Sequence, residues 1–198
     1  LPVAITVVTS DTEVCDDTIV ALSVTGNINS GTAVLGNGTT APSTTSYPNP
    51  LSAFYGGTKH QMLYTAAELS AQGMIGGTEI TEVTLDLATV TGGACVDFTI
   101  RMGATSLSVM SSGFVTGTTT VYGPTTFTPA TAGVGLVSFT LTTPYVWDGT
   151  SNLIVETIHN AGNSGNGSGT TTRATTTTSN SVAYVRADNT AGGIAGFD

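Results

Sequence analysis

A chain of 198 residues with four basic side chains (Lys59, Arg101, Arg173 and Arg186) against 13 acidic ones carries a formal charge of -9. Nucleic acid and anionic membrane surfaces are excluded as partners, because both are bound through basic patches that release counterions. Thr supplies roughly a fifth of the residues and Gly 25 of them, yet a hydrophobic share of 39% in alternating runs is enough to bury a core, so the composition points to strands and turns rather than to disorder.

In chain order, Leu1-Pro2-Val3 reads as the interior of a longer chain, as does the end around Phe197-Asp198. Residues 3–9 and 18–25 carry strand patterns joined by an acidic turn with Asp11, Glu13, Asp16 and Asp17. Residues 1–25 are therefore expected to form a strand pair or the end of a preceding immunoglobulin-like repeat. A Gly-, Thr- and Asn-rich linker over 26–46 follows, and then a β-sandwich module over 47–198. The pattern Thr65, Glu68, Gly73 is a capping box followed by a helix stop, which predicts one short helix over 65–72.

Strands then follow in series. Val83, Leu85 and Leu87 alternate with Glu82, Thr84 and Asp86; Phe98, Ile100 and Met102 alternate with Asp97, Thr99 and Arg101. On this reading Arg101 stands opposite Asp86 as a cross-strand pair. Further strands are expected over 118–122, 136–141, 153–158, 170–177 and 181–186, with Val137, Phe139 and Leu141 inward. Residues 144–156 join an aromatic strand end to an apolar strand through Asp148-Gly149, a hairpin or an arch, and Trp147 is placed to close one end of the core. The fold class is all-β: a sandwich or jelly-roll-like domain with one short helix. No run of 18 apolar residues occurs, so no segment is expected to insert in a membrane.

The chemistry offered by the residues is sparse. Cys15 and Cys95, an even count in an extracellular composition, are expected to form a disulfide tying the N-terminal segment to the sandwich. With His60 and His159 they lack the close ligand spacing of a zinc site. A hydrolase would need one of those histidines in a deep pocket beside a carboxylate, and neither lies in a catalytic motif, so no enzyme and no catalytic residue is expected. Glu79, Glu82 and Asp86 read as a solvated strand face rather than a glycosidase pair. Calcium is the one cofactor considered: Asp148 and Asn152 could supply oxygen ligands, as could the carboxylates of the first turn, although turn geometry alone also calls for Asp and Asn there. Tyr47, Phe54, Tyr55 and Tyr64 could stack on a sugar or plug the end of the sandwich. The triplet Asp17-Thr18-Ile19 matches an O-glycosylation acceptor, with Thr18 as the site, and equally a plain strand start.

Four ordered pieces carry a resemblance. These are Ser46-Tyr47-Pro48 with Tyr55-Gly56-Gly57; the segment from Gln61 through Leu69; Asp97 through Gly103; and Pro144 through Glu156. Over about residues 43–187 they resemble a β-sandwich module of large secreted and cell-surface proteins of the Bacteroidetes, exported by type IX secretion. Where that family often has an Arg before its Gln-Leu-Tyr stretch, this chain has Lys59-His60, which puts a fixed salt link there in doubt. The resemblance implies an extracellular, adhesin-like structural module. Its partners would be neighbouring modules, copies of the same protein assembled in a filament, or surface glycans; a carbohydrate-binding accessory module of a secreted enzyme is the alternative.

Overall fold

The computed structural model describes residues 31–38, 40–43, 49–91, 93–111, 113–160 and 169–187, all within a compact unit spanning Gly31–Asp198. The expectations for residues 1–25, including the acidic turn, Cys15 and Thr18, lie outside the described residues, as does Tyr47.

The fold is all-β, with two antiparallel sheets and two short helices. In chain order the elements are β1 (Gly57–Tyr64), α1 (Ala66–Ala71), β2 (Glu79–Thr89), β3 (Cys95–Thr105), β4 (Thr119–Phe127), α2 (Pro129–Ala132), β5 (Gly135–Val146), β6 (Asn152–Asn160), β7 (Thr171–Thr172) and β8 (Val182–Ala187). The larger sheet has the order β4-β3-β6-β1-β8 and the smaller one β5-β2-β7. The period-2 patterns put Phe98, Ile100 and Met102 of β3, Leu153 and Val155 of β6, and Val137, Phe139 and Leu141 of β5 into one core with Leu87, Leu51, Leu69 and Trp147. Phe98, Phe127, Tyr122 and Phe139 pack there as tilted or edge-on rings 5.0 to 6.2 Å apart.

α1 forms where the capping box predicts it. The Glu68 amide donates to Thr65 Oγ1 at 3.2 Å and the Thr65 amide to the Glu68 carboxylate at 2.8 Å. At its other end Gly73, with φ +85°, donates to the Ser70 carbonyl while Met74 donates to Leu69, a Schellman closure that turns Met74 onto the core. Thr65→Ala is expected to lower stability by about 1 kcal/mol, read as a shift in denaturant midpoint at unchanged m-value. The second helix, α2, adds to the single one expected; Pro129 in its first turn has its backbone angle preset for a helix start.

Residues 147–151 form an arch, not a hairpin, because β5 and β6 belong to different sheets. Trp147 is buried at this crossing and its Nε1 donates to the Ser151 carbonyl at 2.8 Å. Gly149 has φ +84°, and a Cβ there would stand 2.6 Å from Gly76 Cα, so backbone packs on backbone.

Two expectations are corrected. Arg101 and Asp86 do not pair, because β3 and β2 lie in separate sheets; Arg101 meets Glu156 and Asp86 meets Arg173 at 3.3 Å. The strand expected over 170–177 is confined to β7, because Ala174 pairs instead with Thr40, and Thr175 Oγ1 accepts from the Asn37 amide at 2.7 Å. Asn37, Gly38 and Thr40, read as linker, thus lie against the sandwich.

Candidate functional site

β6 (Asn-Leu-Ile-Val-Glu-Thr-Ile-His-Asn) is hydrogen-bonded along both edges, to β3 and to β1. One face of it, with Leu153, Val155, Thr157 and His159, turns toward the sandwich interior. Ile154 and Glu156 occupy the other face, which is also covered, by Met110 and residues 114–118 of the β3–β4 connection. Met110 of that connection packs with Leu63 and Ile154, with Val115 alongside, and the Met110 amide donates to the Asn180 carbonyl at 2.7 Å. Gln61 of β1 clamps the connection at Val115, donating to its carbonyl and accepting from its amide, both at 2.7 Å. A face that a lone sandwich would leave to solvent is thereby closed over charged residues.

Glu156 is the centre of that enclosure. Its carboxylate lies 3.5 Å from Lys59 Nζ and 3.4 Å from Arg101 Nη1, accepts from Thr118 Oγ1 at 3.3 Å, and accepts from the Gln61 amide. The Arg101 Nη2 donates to the Thr118 carbonyl at 2.8 Å, and the Lys59 ammonium lies 4.8 Å from the centre of the Phe114 ring. Glu156 and Lys59 are buried, whereas the Arg101 side chain is 25% exposed. Burying ions is costly unless donors replace water, and the four groups around Glu156 do so. Beside them lies a cavity of about 380 Å³, lined by Lys59, Arg101, Glu156 and residues 114–118. Lys59 thus makes a buried ion pair with Glu156.

Because strand side chains alternate, His60 falls on the opposite face of β1 from Lys59 and Gln61. His159 Nε2 lies 2.9 Å from Thr58 Oγ1, and His60 Nε2 accepts from the Asn49 amide at 3.4 Å. Asn49 joins three segments here, its Oδ1 taking the Thr172 amide at 3.0 Å and its Nδ2 donating to the Ser43 carbonyl at 2.9 Å. The His60 ring stacks on Tyr184. Burial lowers the His60 pKa to about 3, with the nearby His159 adding to the effect, and burial lowers that of His159 to about 4. Both rings are neutral at pH 7 and lie inside the sandwich, away from the cavity and its carboxylate.

The other candidates are dispersed. The Ser151 hydroxyl, then the Ser151 and Thr150 amides, which donate to Asp148 Oδ1 at 2.7 and 2.8 Å, hold its pKa down at about 2. Asn152 Oδ1 accepts from the Ala66 amide and its Nδ2 donates to the Leu107 carbonyl, so it ties α1 and the β3–β4 connection to β6. Turn and tether geometry thus accounts for both residues proposed as calcium ligands, and among the described residues no three His, Cys, Asp or Glu side chains form a metal-holding group. Glu82 accepts from Ser138 on the exposed sheet face, and Glu79 is exposed. Tyr64 turns into the core and Tyr55 carries the Arg186 guanidinium 4.1 Å over its ring, with Phe54 edge-on to it, so these aromatics plug the fold instead of forming an open platform. Cys95 is a free, buried thiol that donates to the Leu51 carbonyl at 3.4 Å, and burial pushes its pKa up to about 12; the expected disulfide is not seen, and its partner Cys15 lies outside the described residues.

The Glu156 cluster was missed because Lys59, Arg101 and Glu156 are 97 positions apart at the extremes and each reads alone as an outward strand residue. The signal that could have found it was a Glu inside the apolar run Leu153-Ile154-Val155-Glu156 of a strand expected to be buried. Comparison with known proteins finds no matching family, no similar curated protein and no similar solved structure.

Proposed function

We propose that the chain is a non-catalytic structural and adhesive module of an extracellular surface protein, joined to neighbouring modules or copies of itself by strand addition. The carrying observation is the edge of β5 from Gly135 through Leu141, which has no main-chain strand partner among the described residues; beyond it Thr142 Oγ1 donates to the Val121 carbonyl of β4 at 3.0 Å. Twelve residues long, β5 is paired only with β2 among the described residues, and its first eight positions, Gly135 through Thr142, hold no charge and no proline. Soluble proteins usually blunt such edges with Lys, Pro or bulges. β4, at the corresponding end of the larger sheet, is blunted in that way, with Pro124 and three register shifts, and β8 is short and carries Arg186. Leu136, 79% exposed on β5, adds apolar area for a docked strand.

Strand addition provides many main-chain hydrogen bonds without a special side chain, which suits a load-bearing surface assembly. The resemblance to Bacteroidetes surface modules supports the same reading. The double variant Leu136→Lys/Thr140→Lys places gatekeeper charges on exposed positions of this edge and is expected to keep the thermal midpoint while reducing the assembled mass in light scattering. Deleting residues 1–25 then asks whether that segment supplies the added strand. Unchanged assembly in both proteins would refute strand addition.

A further inference from the structure

One side of the sandwich is built from a single uncharged stretch of chain. Residues 102–147 contain no Asp, Glu, Lys, Arg or His, although charged residues make up 9% of the sequence. That stretch forms β4, α2 and β5. β4 and β5 are the end strands of their two sheets and lie on the same side, where Tyr122 and Phe127 meet Phe139 and the Thr142 hydroxyl reaches the Val121 carbonyl. Copies of a chain of charge -9 repel one another, and the repulsion is least where they meet through a neutral side.

On that side β5 offers the better edge. Pro124 and three register shifts interrupt β4, whereas β5 runs in unbroken register with β2 from Gly135 to Thr140. The midpoint of the edge from Gly135 through Leu141 is Ser138. An antiparallel pairing of two copies about a two-fold axis there uses the whole edge and nothing beyond it. Gly135 then faces Leu141 of the second copy, Leu136 faces Thr140, and Val137 faces Phe139. Opposite residues of antiparallel strands share a face, so the inward set Val137, Phe139 and Leu141 continues the core face of the second copy, and Leu136, 79% exposed, gains a Thr140 side chain. The pairing adds roughly six to eight main-chain hydrogen bonds. Glu82 and Asp86 stand on β2 beside Thr140 and Leu136. Across the contact the carboxylates of the two copies are therefore three strand spacings apart, about 14 Å, beyond a screening length of about 8 Å.

We propose, resting on the strand-addition reading above, that the partner of β5 is β5 of a second copy of this chain, paired antiparallel about a two-fold axis at Ser138. Such a contact is isologous and closes on two copies, which makes it a homophilic link between surface proteins lying side by side. The edge is short, so the link is weak and reversible between free molecules and gains strength where many copies are held on one surface.

Sedimentation velocity of the whole chain from about 10 μM to about 1 mM is expected to show a monomer–dimer equilibrium, weakened about tenfold or more by Leu136→Lys/Thr140→Lys. Cysteine trapping reads the register, in a Cys15→Ser background with Cys95 buried. Ser138→Cys is expected to form a linked dimer by itself on mild oxidation, because directly opposite Cα atoms stand about 5 Å apart. Leu136→Cys alone should not, its two copies lying about 14 Å apart along the strands, but it should link to Thr140→Cys when the two are mixed. A chain that stays monomeric at about 1 mM, or a dimer untouched by Leu136→Lys/Thr140→Lys, would overturn strand addition and this partner together. Assembly that is lost in the double Lys variant but shows no Ser138→Cys self-linkage, or that is lost on deleting residues 1–25, would keep strand addition and overturn the β5–β5 pairing alone.

Discussion

Glu156→Gln is expected to destabilise the protein by about 3–5 kcal/mol, the usual cost of removing one partner from a buried ion pair. The substitution keeps shape and volume but leaves the buried Lys59 ammonium and the Arg101 guanidinium without the carboxylate that lies 3.5 and 3.4 Å from them. It also sets a new side-chain amide against Gln61, whose own amide donates to the carboxylate it replaces. Since domains of this kind are stable by about 5–15 kcal/mol, the loss should be plain in urea unfolding. Glu82→Gln, on the exposed face of β2, is the matched control and should stay within about 0.5 kcal/mol. A Glu156→Gln midpoint equal to that of the control would show that the cluster contributes nothing. The triple replacement Lys59→Met/Arg101→Met/Glu156→Leu is the complementary test: apolar isosteres of a buried ion cluster often restore or raise stability, so it is expected to unfold at a higher urea midpoint than Glu156→Gln.

Stability is expected to fall steeply as pH drops from 6.5. His60 and His159 have folded pKa values lowered to about 3 and about 4 from 6.5, so protons bind the unfolded chain in preference to the folded one. The stabilisation is fully present above pH 6.5 and is lost progressively as pH falls toward the folded values. The slope is about 1.4 kcal/mol per pH unit for each histidine, so at pH 5 the loss is about 2 kcal/mol each and about 4 kcal/mol together. Asp148 acts in a lower window: its pKa is depressed from 3.8 to about 2, and its contribution is lost only as pH falls through that range. Urea midpoints at pH 7.5, 6.5, 5.5 and 5.0 distinguish the two. His159→Gln should roughly halve the slope whatever it does to stability at pH 7.5. A flat profile between pH 7.5 and 5 would show that the rings accept protons in the fold.

Local rules in the chain reached a good part of the fold. Thr65, Glu68 and Gly73 defined α1 because a capping box and a helix stop act within a few residues of each other. Phe98, Ile100 and Met102, like Val137, Phe139 and Leu141, announced their buried faces because strand alternation is a property of the local backbone. Trp147 at the arch was legible for the same reason, an aromatic beside an Asp-Gly turn.

Pairing was not legible. Nothing near Arg101 says whether its strand neighbours β2 or β6, and the choice between Asp86 and Glu156 turns on which sheet each strand joins. The β3–β4 connection has no periodicity, yet through residues 114–118, lying across Lys59, Gln61 and Glu156, it converts an outward strand face into a half-open charged recess. The sequence alone determined the fold class, the core faces and the caps, which depend on neighbours a few residues away. Tertiary structure alone decided strand order, the fate of Lys59 and Glu156, and the burial of both histidines, because desolvation and ion pairing depend on segments that meet from opposite ends of the domain.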